Sequence, residues 1–323
     1  MIKDQVLAIL LQTDNCISGE KISAELGVTR AAVNAAVQAL RKEGYEISSS
    51  TKKGYTLKKS PGNMCPGELI VRLGKERAEK IICFETIDST NTYLKQLAQE
   101  GAEAGTVVIA SEQTAGRGRQ GRSFESPKGE GLYLSMLFKP QCKLSDAAQF
   151  TAWAAVAAMR AVKSAAGIDC GIKWVNDLIL DGKKLAGILT ELSIEAESGE
   201  IQYLVAGIGI NVSQKSFKGE LSNKAISLSM STGKKASICD LAAELIKELD
   251  KVAEEFPERK AEYREAYRSA CVTLNKEVSY EKNGETFYGR ALMIDEDFGL
   301  TVLRSDFKEE HLFSGEVSIR SAY

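Results

Sequence analysis

Apolar positions recur in different rhythms along the chain. In the first sixty residues the spacing is helical: Val6, Leu7, Leu10 and Leu11 share one face, Ile22 and Leu26 mark a second segment, and Val33, Val37 and Leu40 a third. Ser18 and Thr29 stand where N-caps are needed, and Gly27 ends the second helix because glycine tolerates the left-handed conformation of a tight turn. Small Ser23 and Gly27, with Val33, fit places where two helices approach closely. After Gly44 the period drops to two. Tyr45 and Ile47, then Tyr55 and Leu57, flank a Lys52-Lys53-Gly54 tip and predict a short hairpin. Helices joined by a glycine-containing turn and followed by a basic hairpin make a helix-turn-helix with a wing. The polar start of the third helix, Thr29, Arg30 and Asn34, would read bases, while Lys52 and Lys53 would meet phosphate. A plain three-helix protein-contact module is the alternative.

From residue 62 the pattern mixes strands and helices. Ile81 to Ile87 reads as a strand, and Asp88-Ser89-Thr90-Asn91 opens a helix through Ala98. Residues 107–110 and 132–138 are buried-type strands, and 145–166 is one long alanine-rich helix stopped by Gly167. Further strands are predicted at 172–174, 178–180, 185–192 and 203–212, and helices at 237–255 and 257–270. This order is α+β, without a regular βαβ alternation. From about residue 275 short strands take over, at 278–280, 287–294, 300–303 and 317–319, with turns at Asn283-Gly284 and Phe298-Gly299. They predict a small SH3-like β-barrel. With Ser60-Pro61-Gly62 as a boundary, the expected domains are 1–60, 61–273 and 274–323.

A chain of 323 residues suits two or three domains, and 44% apolar with 27% charged residues is ordinary for a soluble protein. The net charge of −2 hides an asymmetry. Residues 1–59 hold nine Lys/Arg against six Asp/Glu, and the remainder 33 against 38, so a mildly basic module precedes an acidic body. Seven scattered cysteines without a C-x-x-C pair argue against a disulfide framework or a zinc ribbon and fit a reducing cytoplasm. A single histidine, His311, excludes a His₂ or His₃ metal site within one chain and confines any Ser-His-Asp triad to that residue. The longest apolar stretch, residues 151–159, is far short of the ~20 residues of a membrane span, and the N-terminus has no signal-peptide core. A cytoplasmic location is expected.

The chemistry lies in glycine-marked segments. Residues 113–122 read QTAGRGRQGR, in which Gly116, Gly118 and Gly121 match the dinucleotide fingerprint G-x-G-x-x-G. That fingerprint must open a helix, and Pro127, Gly129 and Gly131 preclude one here. Three glycines let backbone N–H groups close on a ligand, and Arg117, Arg119 and Arg122 add positive charge, so the loop suits phosphate or an acyl-phosphate being made. In KWVNDLILDGKKLAG, residues 173–187, a lysine at the mouth of a buried strand can neutralise phosphate, and Asp177 is a candidate Mg²⁺ carboxylate. Gly207-Ile-Gly-Ile-Asn211 is a strand whose bare backbone lets a ligand lie close.

Five motifs in order carry a resemblance over essentially the whole chain: D-S-T-N at 88–91, the 113–122 loop, K-W-x-N-D at 173–177, G-K-K-L-A-G-I-L-T-E at 182–191 and G-I-G-I-N at 207–211. Behind a winged helix and before a β-barrel, they make the chain resemble bacterial biotin protein ligases of the repressor-bearing type. The resemblance implies that Ser89, Thr90, Asn91 and Gln113 line a biotin pocket, and that Arg117, Gly118 and Arg119 fold over biotin and its adenylate. It places Lys184 beside the biotin carboxylate and the α-phosphate, Arg122, Phe124, Asn176 and Asn211 on the nucleotide side, and Asp177 on the nucleotide and Mg²⁺ side, with Arg119, Asp177 and Lys184 as the catalytic set.

The implied reaction consumes ATP with Mg²⁺, forms biotinyl-5'-AMP and transfers biotin to a lysine of a biotin carboxyl carrier domain. In relatives the adenylate is also the corepressor and promotes homodimerisation before operator binding, so the resemblance implies a homodimer on two-fold operator DNA. No histidine base is needed, and His311 is expected to be structural. Two departures stand out. Val175 replaces the proline usual in relatives, which would stiffen the turn before Asn176-Asp177. Ala35-Ala36 replaces a Lys-His pair common in repressor-type relatives, removing a phosphate or base contact. A ligase whose winged helix no longer binds DNA, a biotin-sensing regulator without ligation, and a lipoate-transferring relative remain alternatives.

Overall fold

The structure is a computed structural model describing residues 2–13, 15–50, 54–62, 64–195 and 197–319. The first unit holds α1 (Ile2–Leu11), α2 (Gly19–Leu26), α3 (Arg30–Lys42), β1 (Glu46–Ser50) and β2 (Gly54–Lys59). The expected caps form: Ser18 Oγ accepts from the Lys21 N–H at 3.1 Å, and Thr29 Oγ1 from the Ala32 N–H at 3.2 Å. Val6, Leu7, Ile22, Val33, Val37 and Leu40 close a core of their own. Gly27 is exposed with φ 66°, so its role is the turn conformation and not a close helix approach. The strands pair antiparallel up to Ser50 opposite Gly54, and Lys52 and Lys53 lie outside the described residues. Gly54 is obligatory, because its φ is +102° and a Cβ there would stand 2.1 Å from the Ile17 carbonyl oxygen. Ala36 packs in the core while Ala35 is exposed. Only one of the two alanines is therefore a lost surface contact.

The central unit runs α4 (Pro66–Leu73), α5 (Lys75–Ala78), β3 (Ile81–Ile87), α6 (Thr90–Gln99), β4 (Val107–Gln113), β5 (Gly131–Phe138), α7 (Leu144–Ala147) and α8 (Phe150–Ala166). It continues with β6 (Gly171–Lys173), β7 (Asp177–Leu180), β8 (Lys183–Ile194), β9 (Ile201–Asn211), α9 (Leu228–Thr232), α10 (Ile238–Glu255) and α11 (Lys260–Ala270). The expected continuous helix over 145–166 is broken between α7 and α8. The break falls at Gln149, whose buried amide reaches out to donate to Asp297 Oδ1 at 3.0 Å. The last helix starts at Lys260 and not at 257, with residues 256–259 forming a turn ahead of it. Helix α4 has no apolar run long enough to announce it; Pro66 sits in its first turn.

The seven strands order as β3-β4-β5-β9-β8-β7-β6, and only β3 and β4 pair parallel. Helices α8 and α10 cover one face and α6 the other. Strand β5 is buried along its whole length. Leu132, Leu134, Met136 and Phe138 join the main core with Trp153, which stacks on Tyr263 at 3.9 Å. On the alternate face Leu137 joins Leu94 and Ala98 of α6, and Tyr133 and Ser135 reach the site described below.

The last unit is a five-stranded antiparallel sheet of β10 (Glu277–Lys282), β11 (Glu285–Ile294), β12 (Leu300–Arg304), β13 (Glu309–Leu312) and β14 (Val317–Ile319), in the order β13-β12-β11-β10-β14. Among the described residues no ladder joins β13 to β14. The hairpin at Asn283-Gly284 has positive φ at both residues, 53° and 80°, as its two-residue turn requires. His311 is exposed on β13, with Nδ1 3.1 Å from Thr301 Oγ1, away from any pocket-lining group.

The winged unit meets the body through α1 and α4, so closely that a Cβ on Gly67 would lie 2.8 Å from Leu7 Cδ2. Buried Glu68 anchors the joint. Its carboxylate accepts from Ser60 Oγ at 2.7 Å and from Arg72 Nη1 at 2.9 Å, while Arg72 Nε donates to Asp240 Oδ1 at 2.6 Å. A cavity of about 450 Å³ lies beside this joint, bounded by Leu11, Pro61, Arg72, Leu132 and Ile238 among others. Among the described residues no helix is long and apolar enough to cross a membrane, and no group of three or more His, Cys, Asp or Glu could hold a metal ion.

Candidate active site

The site lies where α6, the loop after β4, and strands β5, β8 and β9 converge. Ser89 caps α6, accepting from the Thr92 N–H at 3.4 Å, so the next two side chains leave the first helical turn toward the sheet. Thr90 donates through its N–H to Gln113 Oε1 at 2.9 Å, and Gln113 Nε2 donates to Ser126 Oγ at 2.9 Å. Thr90 and Asn91 also share one buried partner that sequence reasoning missed. Ser135 Oγ is 2.7 Å from Thr90 Oγ1 and 2.5 Å from Asn91 Oδ1. Its signal is a lone serine in the aliphatic and aromatic run LYLSMLF, on the pocket side of β5.

The glycines of β9 are filled by this chain's own side chains. A Cβ at Gly207 would lie 2.1 Å from Asn91 Oδ1, and one at Gly209 would lie 2.5 Å from the Phe124 ring. Phe124 also packs edge-on to Tyr133, with centroids 6.4 Å apart. The bare backbone thus admits an amide and a ring that line the pocket.

The positive groups arrive from two directions. Lys184 Nζ pairs with Asp177 at 2.7 Å across the β7–β8 ladder. Arg119 Nη1 donates to Asn176 Oδ1 and to the Gly315 carbonyl, both at 3.1 Å, so the loop touches the C-terminal sheet. Asn176 is held in turn, with Nδ2 donating to the Ile188 carbonyl at 2.9 Å. The turn before it is not loose despite Val175. Tyr267 Oη donates to the Val175 carbonyl at 3.1 Å, the Trp174 N–H donates to Thr273 Oγ1 at 3.0 Å, and the indole N–H donates to the Phe298 carbonyl at 2.9 Å.

Ser89, Thr90, Asn91, Gln113, Arg117, Gly118, Arg119, Phe124, Asn176 and Lys184 therefore line one pocket, with Asp177 paired to Lys184 at its side. Two expected nucleotide residues are not brought in. Arg122 is turned outward to Glu316 at 2.6 Å, a pairing that holds Glu316 below its ordinary range against the opposing effect of burial. Asn211 is buried at the end of β9, where Oδ1 accepts from Gln214 Nε2 at 3.2 Å. In the winged unit Arg30 and Asn34 are exposed at the start of α3, with Asn34 Oδ1 accepting from Gln38 Nε2 at 3.4 Å. The pocket's free volume is about 60 Å³. Pockets for a drug-sized molecule need roughly 300 Å³ or more, so the loop bearing Arg117 to Phe124 must yield before a large ligand enters.

Residues 83–211 match the biotin/lipoate A/B protein ligase family, and residues 3–56 match an HTH domain. The chain is 33% identical over 323 residues to the bifunctional ligase/repressor BirA of Bacillus subtilis (strain 168), covering 98% of each chain. It is 32% identical over 317 residues to the bifunctional ligase/repressor BirA of Escherichia coli (strain K12), covering 98% of this chain and 97% of that one. Among solved structures, the biotin protein ligase from Aquifex aeolicus in complex with biotin and ATP matches with a TM-score of 0.65 at 29% identity, over 75% of this chain and 99% of that one. A full-length match in sequence, with a ligase fold behind an HTH domain, establishes that the chain belongs to the bifunctional ligase/repressor family of biotin protein ligases.

Proposed function

We propose that this chain activates biotin with ATP, passes it to a lysine of a biotin carboxyl carrier domain, and in its adenylate-bound form dimerises on two-fold operator DNA. The carrying observation is that Arg119, Lys184 and the Ser89-Thr90-Asn91 turn, far apart in sequence, converge on one pocket. In the first step a biotin carboxylate oxygen attacks the α-phosphorus of ATP, the bond to the β-phosphate bridge breaks, and pyrophosphate leaves. In the second the neutral ε-amine of the carrier attacks the acyl carbon, the bond to the AMP oxygen breaks, and the new amide gives its proton to water.

Positioning and charge neutralisation account for catalysis in this reading. Lys184 exchanges Asp177 for the carboxylate and α-phosphate as its anionic partner. Arg119, already oriented by Asn176, answers the charge that develops on the phosphoryl oxygens. Phe124 covers the adenylate side and Asn91 the biotin side. Asp177 is a single carboxylate, which suits Mg²⁺ only when substrate phosphates supply most of the coordination. Such an ion would draw charge from the leaving pyrophosphate. The domain limits 1–60, 61–273 and 274–323 are read with it, as is a cytoplasmic setting.

The test is one preparation assayed twice: transfer of labelled biotin to a carrier domain, and binding to operator DNA with and without biotin and ATP. Transfer together with ligand-dependent DNA binding is expected. Transfer alone would leave a ligase with a repurposed winged helix and point first to Ala35, the exposed member of the alanine pair. Absence of transfer would overturn the reading.

A further inference from the structure

Glu191 is a half-buried acid on β8, on the same face as Gly187 and Leu189, and the roles given above leave it unused. Three groups converge on it. Asn91 Nδ2 donates to Oε2 at 2.8 Å, Lys95 Nζ donates to Oε1 at 2.6 Å, and Arg117 Nη1 lies 3.5 Å from Oε1. Asn91 and Lys95 are four residues apart on α6, so one face of that helix grips one carboxylate. Burial works to raise the Glu191 carboxyl, but hydrogen bonds from Lys95 and Asn91 and the nearby positive charges outweigh it and hold it below its ordinary value.

An asparagine amide can present either end to a pocket. Here the choice is forced. The second neighbour of Nδ2 is the Leu189 carbonyl at 3.3 Å, so both partners of the NH₂ group accept only. The amide oxygen must face Gly207 and Ser135. The Thr90 hydroxyl donates to Gln113 Oε1 at 3.1 Å, so the one proton of Ser135 Oγ lies between Asn91 Oδ1 and Thr90 Oγ1, nearer the former. Polarity set at Glu191 thus passes to Asn91, a residue of the pocket wall, and to Ser135 beside it.

We propose that Glu191 is a positioning residue of the biotin pocket, acting through Asn91 by fixing which end of its amide faces the substrate. This rests on the reading of the Asn91 side as the biotin side. The consequence is selective: loss of Glu191 disturbs biotin binding and leaves the ATP side alone.

The experiment is a double-mutant cycle on the full chain, with biotin affinity by calorimetry and separate KM values for biotin and ATP. Glu191→Ala is expected to weaken biotin binding about tenfold, the scale of one hydrogen bond to a charged group, with the KM for ATP unchanged. Glu191→Gln, whose amide oxygen can still accept from Asn91, recovers much of the loss. In an Asn91→Ala background Glu191→Ala adds little, because the residue it acts through is gone. Unchanged affinity in Glu191→Ala, an equal loss in the Asn91→Ala background, or a loss shared equally with ATP would each overturn the proposal. Thermal melts check the fold, and if Glu191→Ala does not fold the cycle is run with Glu191→Leu, which keeps the bulk and removes the acceptor. A wild-type chain that binds no biotin sinks the underlying reading instead, so the two failures are distinct.

Discussion

Single atoms decide several functions in this chain. Lys184 is partly exposed and touches the core little. Lys184→Ala should cut single-turnover adenylate formation by ~10²-fold or more, with a melting temperature close to wild type. Pyrophosphate release and calorimetry read the two. The β9 glycines give a paired prediction. A methyl at Gly207 meets the pinned Asn91 amide, whereas one at Gly209 meets a ring at the end of a rotatable side chain. Gly207→Ala should therefore weaken biotin binding more than Gly209→Ala does, in parallel titrations. Glu191 also carries a pH signature. Its folded value lies below its unfolded one, so its stabilisation is complete above about pH 4.3 and is lost as pH falls through the lower folded value. The stability gap between wild type and Glu191→Gln should be constant near neutrality and shrink in acid. Much at this scale was legible: the caps at Ser18 and Thr29, and the pocket residues of the 88–91 turn. Ser135 shows in the sequence only as a lone serine, and Glu191 only by its place at the end of the 182–191 motif, because their partners lie 44 and 100 residues away.

Elements with a strong rhythm were also legible. The strand over residues 81–87 appears with its expected bounds, and the hairpin at Asn283-Gly284 forms. Elements governed by tertiary contact were not. The break at Gln149 answers to Asp297, and α4 exists because Leu69 and Gly67 have α1 and the main core to pack on. The loop from Gly116 to Arg122 is an element of another kind, tied to the C-terminal sheet by Arg119 and Arg122. The Arg122–Glu316 pair is exposed, and such pairs contribute about 1 kcal/mol or less. Glu316→Gln should leave the melting temperature nearly unchanged yet speed tryptic cleavage at Arg117, Arg119 and Arg122. Mass spectrometry of the fragments decides it, and an unaltered cleavage rate would mean the clasp does not restrain the loop.

At the scale of the molecule, charge asymmetry and the Ser60-Pro61-Gly62 segment point in the sequence to a distinct N-terminal unit, and residues 3–56 match an HTH domain. What sequence could not convey was the joint, since Glu68 bonds Ser60 and Arg72, and Arg72 in turn bonds Asp240, only in three dimensions. Gly67→Ala would force its methyl against Leu7 and the Asp4 carbonyl. Increased proteolysis near residues 60–64 is expected, with biotin transfer to a carrier retained. Loss of transfer in that variant would show that the ligase depends on a seated winged helix. Strand β5 runs through the middle of all this with both faces covered. Leu132, Leu134 and Met136 hold the main core, while Tyr133 lines the pocket and Ser135 stands behind Thr90 and Asn91 of its wall. A saturation scan of β5 should therefore cost soluble protein at 132, 136 and 137 and ligand affinity at 133 and 135. The two faces thus set separate rules for tolerated change on one strand, with Leu134 answering to both the core and the pocket.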